Sequence, residues 1–84
     1  MKNVTIYTGP LCNYCEAAKK LLTRNNVKYK EISIATVEGA MDEMISKANG
    51  KRTIPQIFFD DHHIGGYGEA RALEKENKLQ DLLK

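Results

Sequence analysis

The stretch Val4-Thr5-Ile6-Tyr7-Thr8-Gly9-Pro10-Leu11-Cys12-Asn13-Tyr14-Cys15 decides the fold, because it leads from an apolar strand pattern into two cysteines. Its apolar residues recur at period two, which predicts a strand over residues 2–7, and Gly9-Pro10 marks a loop. Further along, apolar residues recur at helical spacing and predict a helix over residues 13–23. The sequence therefore predicts a strand that delivers both cysteines to the start of a helix.

The two cysteines of the chain suit thiol chemistry at such a position. A helix N-terminus carries about half a positive charge, which favours the reactive thiolate over the thiol. Residues three apart on a helix lie about 5–6 Å apart at Cβ, close to what a disulfide accepts. Cys12 at the helix start is predicted to attack, and Cys15, on the buried stripe with Ala18 and Leu22, to resolve the mixed disulfide.

The remaining pattern predicts an α/β fold in the order β-α-β-α-β-β-α, with helices covering a small mixed sheet. Strands are expected at residues 27–34, 54–59 and 62–64, and a helix at 69–76, followed by a helical turn on Leu79, Leu82 and Leu83. Thr36 is the expected N-cap of the second helix. The expected core face of that helix consists of Val37, Met41, Met44, Ile45 and Ala48.

Composition indicates one small globular domain spanning residues 1–84. The chain is 42% hydrophobic and 29% charged, and its net charge of +2 is too slight to suggest nucleic acid binding. No apolar stretch approaches the ~20 residues of a membrane span, and the N-terminus shows no signal-peptide pattern. We therefore expect a cytoplasmic protein, in which an isolated cysteine pair is catalytic or metal-binding rather than a permanent crosslink.

A zinc site is the main alternative use of the cysteines. Structural zinc needs four ligands, and the only other usual ligands are the neighbours His62 and His63. Because adjacent strand residues point to opposite faces, the two histidines are not expected to chelate together. We expect one of them to be half-buried and the other solvated. An inert buried cysteine pair is disfavoured by the predicted helix-start position.

The combination of a strand, Cys-x-Tyr-Cys, Thr53-Ile54-Pro55 and Gly65-Gly66 before a last helix resembles the glutaredoxin family, especially small bacterial dithiol glutaredoxins. The resemblance implies a thioredoxin-like fold with a four-stranded mixed sheet flanked by helices. It also implies glutathione-dependent reduction of protein disulfides and protein–glutathione mixed disulfides. Because the further zinc ligands are missing, no metal is expected. Implied partners are glutathione and disulfide or glutathionylated proteins, ribonucleotide reductase among them, and the protein is expected to be a monomer.

The resemblance also assigns a glutathione site. A cis peptide bond before Pro55 would place the Ile54 backbone beside Cys12, where glutathione pairs as an added strand. The glycine carboxylate of glutathione would meet a cation, and its γ-glutamyl carboxylate would meet the amides that begin the last helix. The implied contact residues are Tyr14, Lys51, Arg52, Thr53, Ile54, Pro55, Gly66, Tyr67, Gly68 and Glu69.

Three departures from the family pattern concern this site. Asn13 stands where the family usually has Pro, and Gly9 stands where it often has Lys. Gly68-Glu69 replaces a usual pair of aspartates, so Glu69 is the candidate partner for the α-ammonium of glutathione. These changes leave the chemistry at sulfur intact and alter the expected affinity for glutathione.

Two other functions remain open from the sequence. A redoxin served by thioredoxin reductase would share the fold and the cysteine motif, although Gly65-Gly66 and Lys51-Arg52 favour glutathione. A [2Fe–2S] cluster held between two subunits is the second alternative, since relatives without the active-site proline bind one. Two thiolates per chain cannot by themselves supply the usual four sulfur ligands of such a cluster.

Overall fold

A mixed β-sheet with helices on both faces makes up residues 2–84, the part of the chain that this computed structural model describes. The elements in chain order are β1 (Val4–Thr8), α1 (Asn13–Arg24), β2 (Lys30–Ser33), α2 (Ala40–Lys47), β3 (Gln56–Phe59), β4 (His62–Gly65), α3 (Tyr67–Lys75) and α4 (Leu79–Leu83). The strands lie in the order β2-β1-β3-β4. The architecture confirms the expected four-stranded mixed sheet flanked by helices.

Strand β1 lies inside the sheet, parallel to β2 and antiparallel to β3, while β4 pairs antiparallel to β3. Its neighbours Ile6 and Tyr7 are both buried, because successive strand residues point to opposite faces and both faces are covered. Ile6 packs in a cluster with Leu21 and Phe59 on the side of α1, α3 and α4. Tyr7 packs with Met44, Ala48 and Phe58 on the side of α2.

The second helix begins later than the sequence pattern predicted. Residues 34–39 form turns, and α2 begins at Ala40 after Gly39, whose φ of 78° is left-handed. The predicted cap Thr36 is therefore outside the helix. Val37 and Met41 are 49% and 40% exposed, so placing them in the core was wrong. The predicted core residues Met44 and Ala48 are buried and Ile45 is half-buried, since they pack with Tyr7 and Phe58 of the sheet.

Other boundaries shift by a few residues. β2 is shorter than predicted, and β3 begins at Gln56, which leaves Ile54 and Pro55 outside the strand. Helix α3 begins at Tyr67, two residues before the predicted start, because the Gly66 N–H is satisfied by the Glu69 side chain. None of the helices within residues 2–84 has the length and apolarity to span a membrane.

A cluster of charged and amide side chains joins the end of α1 to α3. The Arg24 guanidinium donates to both carboxylate oxygens of Glu74, at 2.8 and 2.7 Å, and the Asn25 amide donates at 2.6 Å. Arg71 adds a contact of 3.0 Å. The hydrogen bonds from Arg24 and Asn25 lower the pKa of Glu74 to about 2. This cluster fixes α3 against the helix that carries the cysteines.

Candidate functional site

The cysteine pair lies at the start of α1, as predicted. Cys12 is the N-cap residue, with extended backbone angles, and the Cys15 backbone N–H donates to Cys12 Sγ at 3.1 Å. The two residues form a disulfide with their Cα atoms 5.2 Å apart. Cys15 is buried and Cys12 is partly exposed, so an incoming thiol or disulfide reaches Cys12 first. Cys15 is therefore more buried than Cys12, as the helical spacing predicted.

The segment Thr53-Ile54-Pro55 runs beside the exposed sulfur. Its Ile54–Pro55 peptide bond is cis, as the family resemblance implied. The Ile54 carbonyl oxygen lies 3.9 Å from Cys12 Sγ. We treat this as a contact rather than a hydrogen bond, because a disulfide sulfur carries no hydrogen. The β1–β3 pairing starts at the Tyr7–Gln56 pair, so the Ile54 backbone lies beyond the ladder and next to the sulfur.

A groove of about 340 Å³ opens along this segment. Such a volume is at the lower end of the range typical of small-molecule sites. Among the residues named from the sequence, Arg52 is missing from its lining and the other implied contact residues are brought together. The lining consists of Tyr14, Lys51, Thr53, Ile54, Pro55, Gln56, Gly66, Tyr67, Gly68 and Glu69.

Gln56 is the groove residue that sequence reasoning missed. It is 2% exposed, and its amide nitrogen donates to the Thr53 carbonyl at 3.0 Å and to the Thr53 hydroxyl at 3.1 Å. Its amide oxygen lies 2.6 Å from His63 Nε2. A lone amide directly before the apolar run Ile57-Phe58-Phe59 was the signal that could have identified it, since a buried polar side chain needs partners.

Two tyrosines form one wall of the groove. The rings of Tyr14, in the first turn of α1, and Tyr67, in the first turn of α3, stack with centroids 5.9 Å apart and planes at 27°. Tyr14 remains 67% exposed. The stack therefore presents an aromatic surface to solvent beside the cysteines, and it is continuous from one helix start to the other.

The start of α3 forms the opposite end of the groove. A Cβ atom added at Gly66 would lie 3.3 Å from the Pro55 carbonyl oxygen, so glycine permits this close approach. The Gly66 N–H donates to Glu69 Oε1 at 2.7 Å. Glu69 thus caps the helix, which places one of its carboxylate oxygens in a local hydrogen bond. The N–H groups of Tyr67 and Gly68 follow in the first turn, where α-helices leave amides without intrahelical acceptors.

Lys51 and Glu69 are the charged side chains that line the groove, and His63 lies nearby, bonded to Gln56. Lys51 lines the groove, whereas its neighbour Arg52 does not. Burial of His63 and, to a smaller extent, the positive charge of Lys51 lower the pKa of His63 below its ordinary value of 6.5, against an opposing effect of Glu69. His62 is exposed and His63 half-buried, as expected. Among residues 2–84, no group of three or more histidine, cysteine or acidic side chains could hold a metal ion.

Comparisons with known proteins agree with this geometry. A family model described as Glutaredoxin matches residues 4–64. Glutaredoxin 3 of Escherichia coli (strain K12) is 44% identical over 84 residues, which cover 100% of both chains. The solution structure of a glutaredoxin from Brucella melitensis has a TM-score of 0.85 at 43% identity, covering 100% of this chain and 90% of that one. A buckwheat glutaredoxin–glutathione complex has a TM-score of 0.85 at 25% identity, covering 98% and 76%.

Proposed function

The chain belongs to the glutaredoxin family of thiol oxidoreductases, and we propose that it uses glutathione to reduce protein disulfides and protein–glutathione mixed disulfides. The observation that carries this proposal is the Ile54 carbonyl, which lies beside Cys12 Sγ and belongs to a residue that lines the groove. A substrate that pairs with this free backbone brings its own sulfur to Cys12. A glutathione complex of the buckwheat relative supports the choice of tripeptide.

On a glutathionylated protein, the Cys12 thiolate attacks the glutathione sulfur, and the protein leaves as its thiolate. The product is a mixed disulfide between Cys12 and glutathione. A second glutathione thiolate then attacks the glutathione sulfur of this mixed disulfide, which releases oxidised glutathione and restores the Cys12 thiolate. Overall, one glutathione thiol is oxidised for each protein thiol released, since the other glutathione in that product came from the substrate, where it was already in a disulfide.

On a protein disulfide, Cys12 attacks one substrate sulfur and Cys15 then attacks Cys12 Sγ. The substrate leaves with both of its thiols reduced, and the Cys12–Cys15 disulfide seen in the structure remains. Two glutathione molecules in succession reduce this disulfide. The N–H of Cys15 supports each step, because a donor 3.1 Å from Cys12 Sγ stabilises negative charge on that sulfur.

The groove offers complementary groups along an extended glutathione. The cysteinyl backbone would pair with Ile54, and Lys51 would attract the glycine carboxylate. At the other end, the Tyr67 and Gly68 amides at the start of α3 would receive the α-carboxylate of the γ-glutamyl group. The stacked Tyr14 and Tyr67 rings would cover the glutathione between these ends.

Cysteine variants in a coupled assay test the proposal. We expect Cys12→Ser to abolish turnover, and Cys15→Ser to keep activity on a glutathionylated peptide while losing reduction of a protein disulfide. Each protein is assayed with glutathione plus glutathione reductase and, separately, with thioredoxin reductase. Full activity of Cys12→Ser, or turnover supported by thioredoxin reductase alone, would refute the proposal.

A further inference from the structure

A chain of hydrogen bonds runs from His63 through Gln56 to Thr53. His63 Nε2 lies 2.6 Å from Gln56 Oε1, and Gln56 Nε2 donates to the carbonyl and the hydroxyl of Thr53. Because Gln56 is 2% exposed, water cannot readily replace these partners. The chain therefore ties a half-buried histidine of β4 to the backbone of the segment that faces Cys12.

The donor and acceptor roles along this chain follow from Thr53. A carbonyl oxygen only accepts, so the Gln56 NH₂ group must face Thr53 and the Gln56 oxygen must face His63. His63 Nε2 then has to carry the hydrogen that it donates to Gln56. Both the neutral Nε2–H tautomer and the imidazolium meet this condition, so the chain of bonds does not depend on the titration of His63.

The sheet holds the His63 ring in place. His63 pairs with Phe58 across β3 and β4, and their rings stack with centroids 4.9 Å apart and planes at 24°. The pairing register shifts between Ile57 and Phe58. Gln56 lies two residues from Phe58, and thus on the same face of β3. His63 is therefore oriented by its strand and can in turn orient Gln56.

We propose that His63 is a positioning residue, which acts through Gln56 to hold Thr53-Ile54-Pro55 in the conformation that receives glutathione. The identity of that ligand rests on the function proposed above. When the His63 donor is removed, Gln56 keeps a buried oxygen without a partner, and such an oxygen carries an energetic penalty. The amide then turns away from Thr53, and the backbone that faces Cys12 loses its support.

The kinetic test compares three substitutions. His63→Phe keeps a planar ring against Phe58 and removes the donor, and we expect it to raise KM for a glutathionylated peptide about three- to tenfold with kcat little changed. His63→Gln, whose Nε2 can replace the imidazole Nε2, should restore a KM near that of the wild type. His62→Phe, at the exposed neighbour, is the matched control and should leave KM unchanged.

A double variant tests whether His63 acts through Gln56. Gln56→Met removes the amide at similar length, and we expect it to raise KM at least as much as His63→Phe. The double variant should match Gln56→Met alone, because His63 then has no amide to orient. Fully additive effects, or a His63→Gln variant as impaired as His63→Phe, would overturn the proposal.

A measurement without glutathione separates this proposal from the proposed function. In ¹⁵N relaxation on the ligand-free oxidised protein, we expect lower amide order parameters at Thr53 and Ile54 in His63→Phe than in the wild type or His63→Gln. Unchanged order parameters in His63→Phe would refute the positioning role. A wild-type protein that works only with thioredoxin reductase would refute the proposed function, and the relaxation data would still decide the role of His63.

Discussion

Ile54 fills the space that a side chain at position 9 would need, since a Cβ atom added at Gly9 would lie 2.7 Å from Ile54 Cδ1. Real Cβ atoms essentially never come that close to another atom, so a side chain at position 9 requires the δ-methyl group of Ile54 to move. The family pattern often has a lysine at position 9. In this chain the glycine leaves that space to the side chain of Ile54, the residue whose carbonyl faces Cys12.

A lysine at position 9 is therefore expected to push the Ile54 side chain out of its present conformation. Gly9→Lys alone should lower the free energy of unfolding by about 0.5–1.5 kcal/mol, because it forces the Ile54 side chain away from its rotamer. Ile54→Val alone removes the δ-methyl group and should lower it by about 0.5–1.5 kcal/mol. The loss of unfolding free energy in the double variant should be smaller than the summed losses of the two single variants. Urea denaturation measures all four proteins, and simple additivity would show that the contact is not shared.

Lys51 and Arg52 provide a matched pair for glutathione binding. Both are cations and both are exposed, but only Lys51 lines the groove. Lys51→Gln should raise KM for a glutathionylated peptide about threefold, with the difference shrinking in high salt. Arg52→Gln removes the same charge from the chain and should change KM much less. Equal effects of the two substitutions would mean that the overall charge matters rather than a local contact.

Because of Glu74, the free energy of unfolding should depend on pH below about pH 4.5. The Glu74 pKa of about 2 in the folded protein lies below the ordinary value of 4.5, because Arg24 and Asn25 hydrogen-bond the ionised carboxylate. A lowered folded pKa contributes stability that is present above pH 4.5 and lost as pH falls toward 2. At pH 7, the Glu74→Gln variant should be about 1 kcal/mol less stable than the wild type. Between pH 4.5 and pH 2, it should lose less stability than the wild type loses.

Denaturation series at several pH values measure this effect. Glu76→Gln serves as the control, since Glu76 forms only an exposed ion pair with Lys78 at 3.4 Å. It should follow the wild-type acid profile. A Glu74→Gln protein with the same profile as the wild type would show that the cluster between α1 and α3 does not hold the charge on Glu74.

A side chain at position 65 is expected to destabilise the protein. The φ of Gly65 is +116°, and an added Cβ would lie 2.8 Å from Glu69 Oε1 and 2.9 Å from Glu69 Cγ. Gly65→Ala should therefore lower the free energy of unfolding by about 1–3 kcal/mol and displace the side chain that caps α3. Gly68→Ala is the matched control: it meets open space within a helix and should raise stability by about 0.5–1 kcal/mol. Thermal and urea unfolding check both, and equal effects would contradict the geometry at Gly65.

Local spacing in the sequence was sufficient for the order of the elements and for the position of the cysteines. Strand and helix periodicities depend on near neighbours, so they predicted β1, α1 and the closing helix on Leu79 and Leu83 closely. The same periodicity failed at Met41, which lies in the first turn of α2 at helical spacing from the buried Met44 and is nevertheless exposed. It also failed at Val37, which precedes α2, because a helical spacing continues through turns and does not show where the helix begins. That boundary depends on the left-handed backbone of Gly39.

The sequence by itself determined the mixed α/β architecture and a cysteine pair at a helix start, with one sulfur exposed and one buried. Only the tertiary structure decided that Ile54 packs on Gly9 and that Lys51 rather than Arg52 lines the groove. It also decided that His63 reaches Thr53 through Gln56. The reason is physical: these contacts join residues from different elements, and their distances depend on how the strands and helices pack rather than on spacing along the chain.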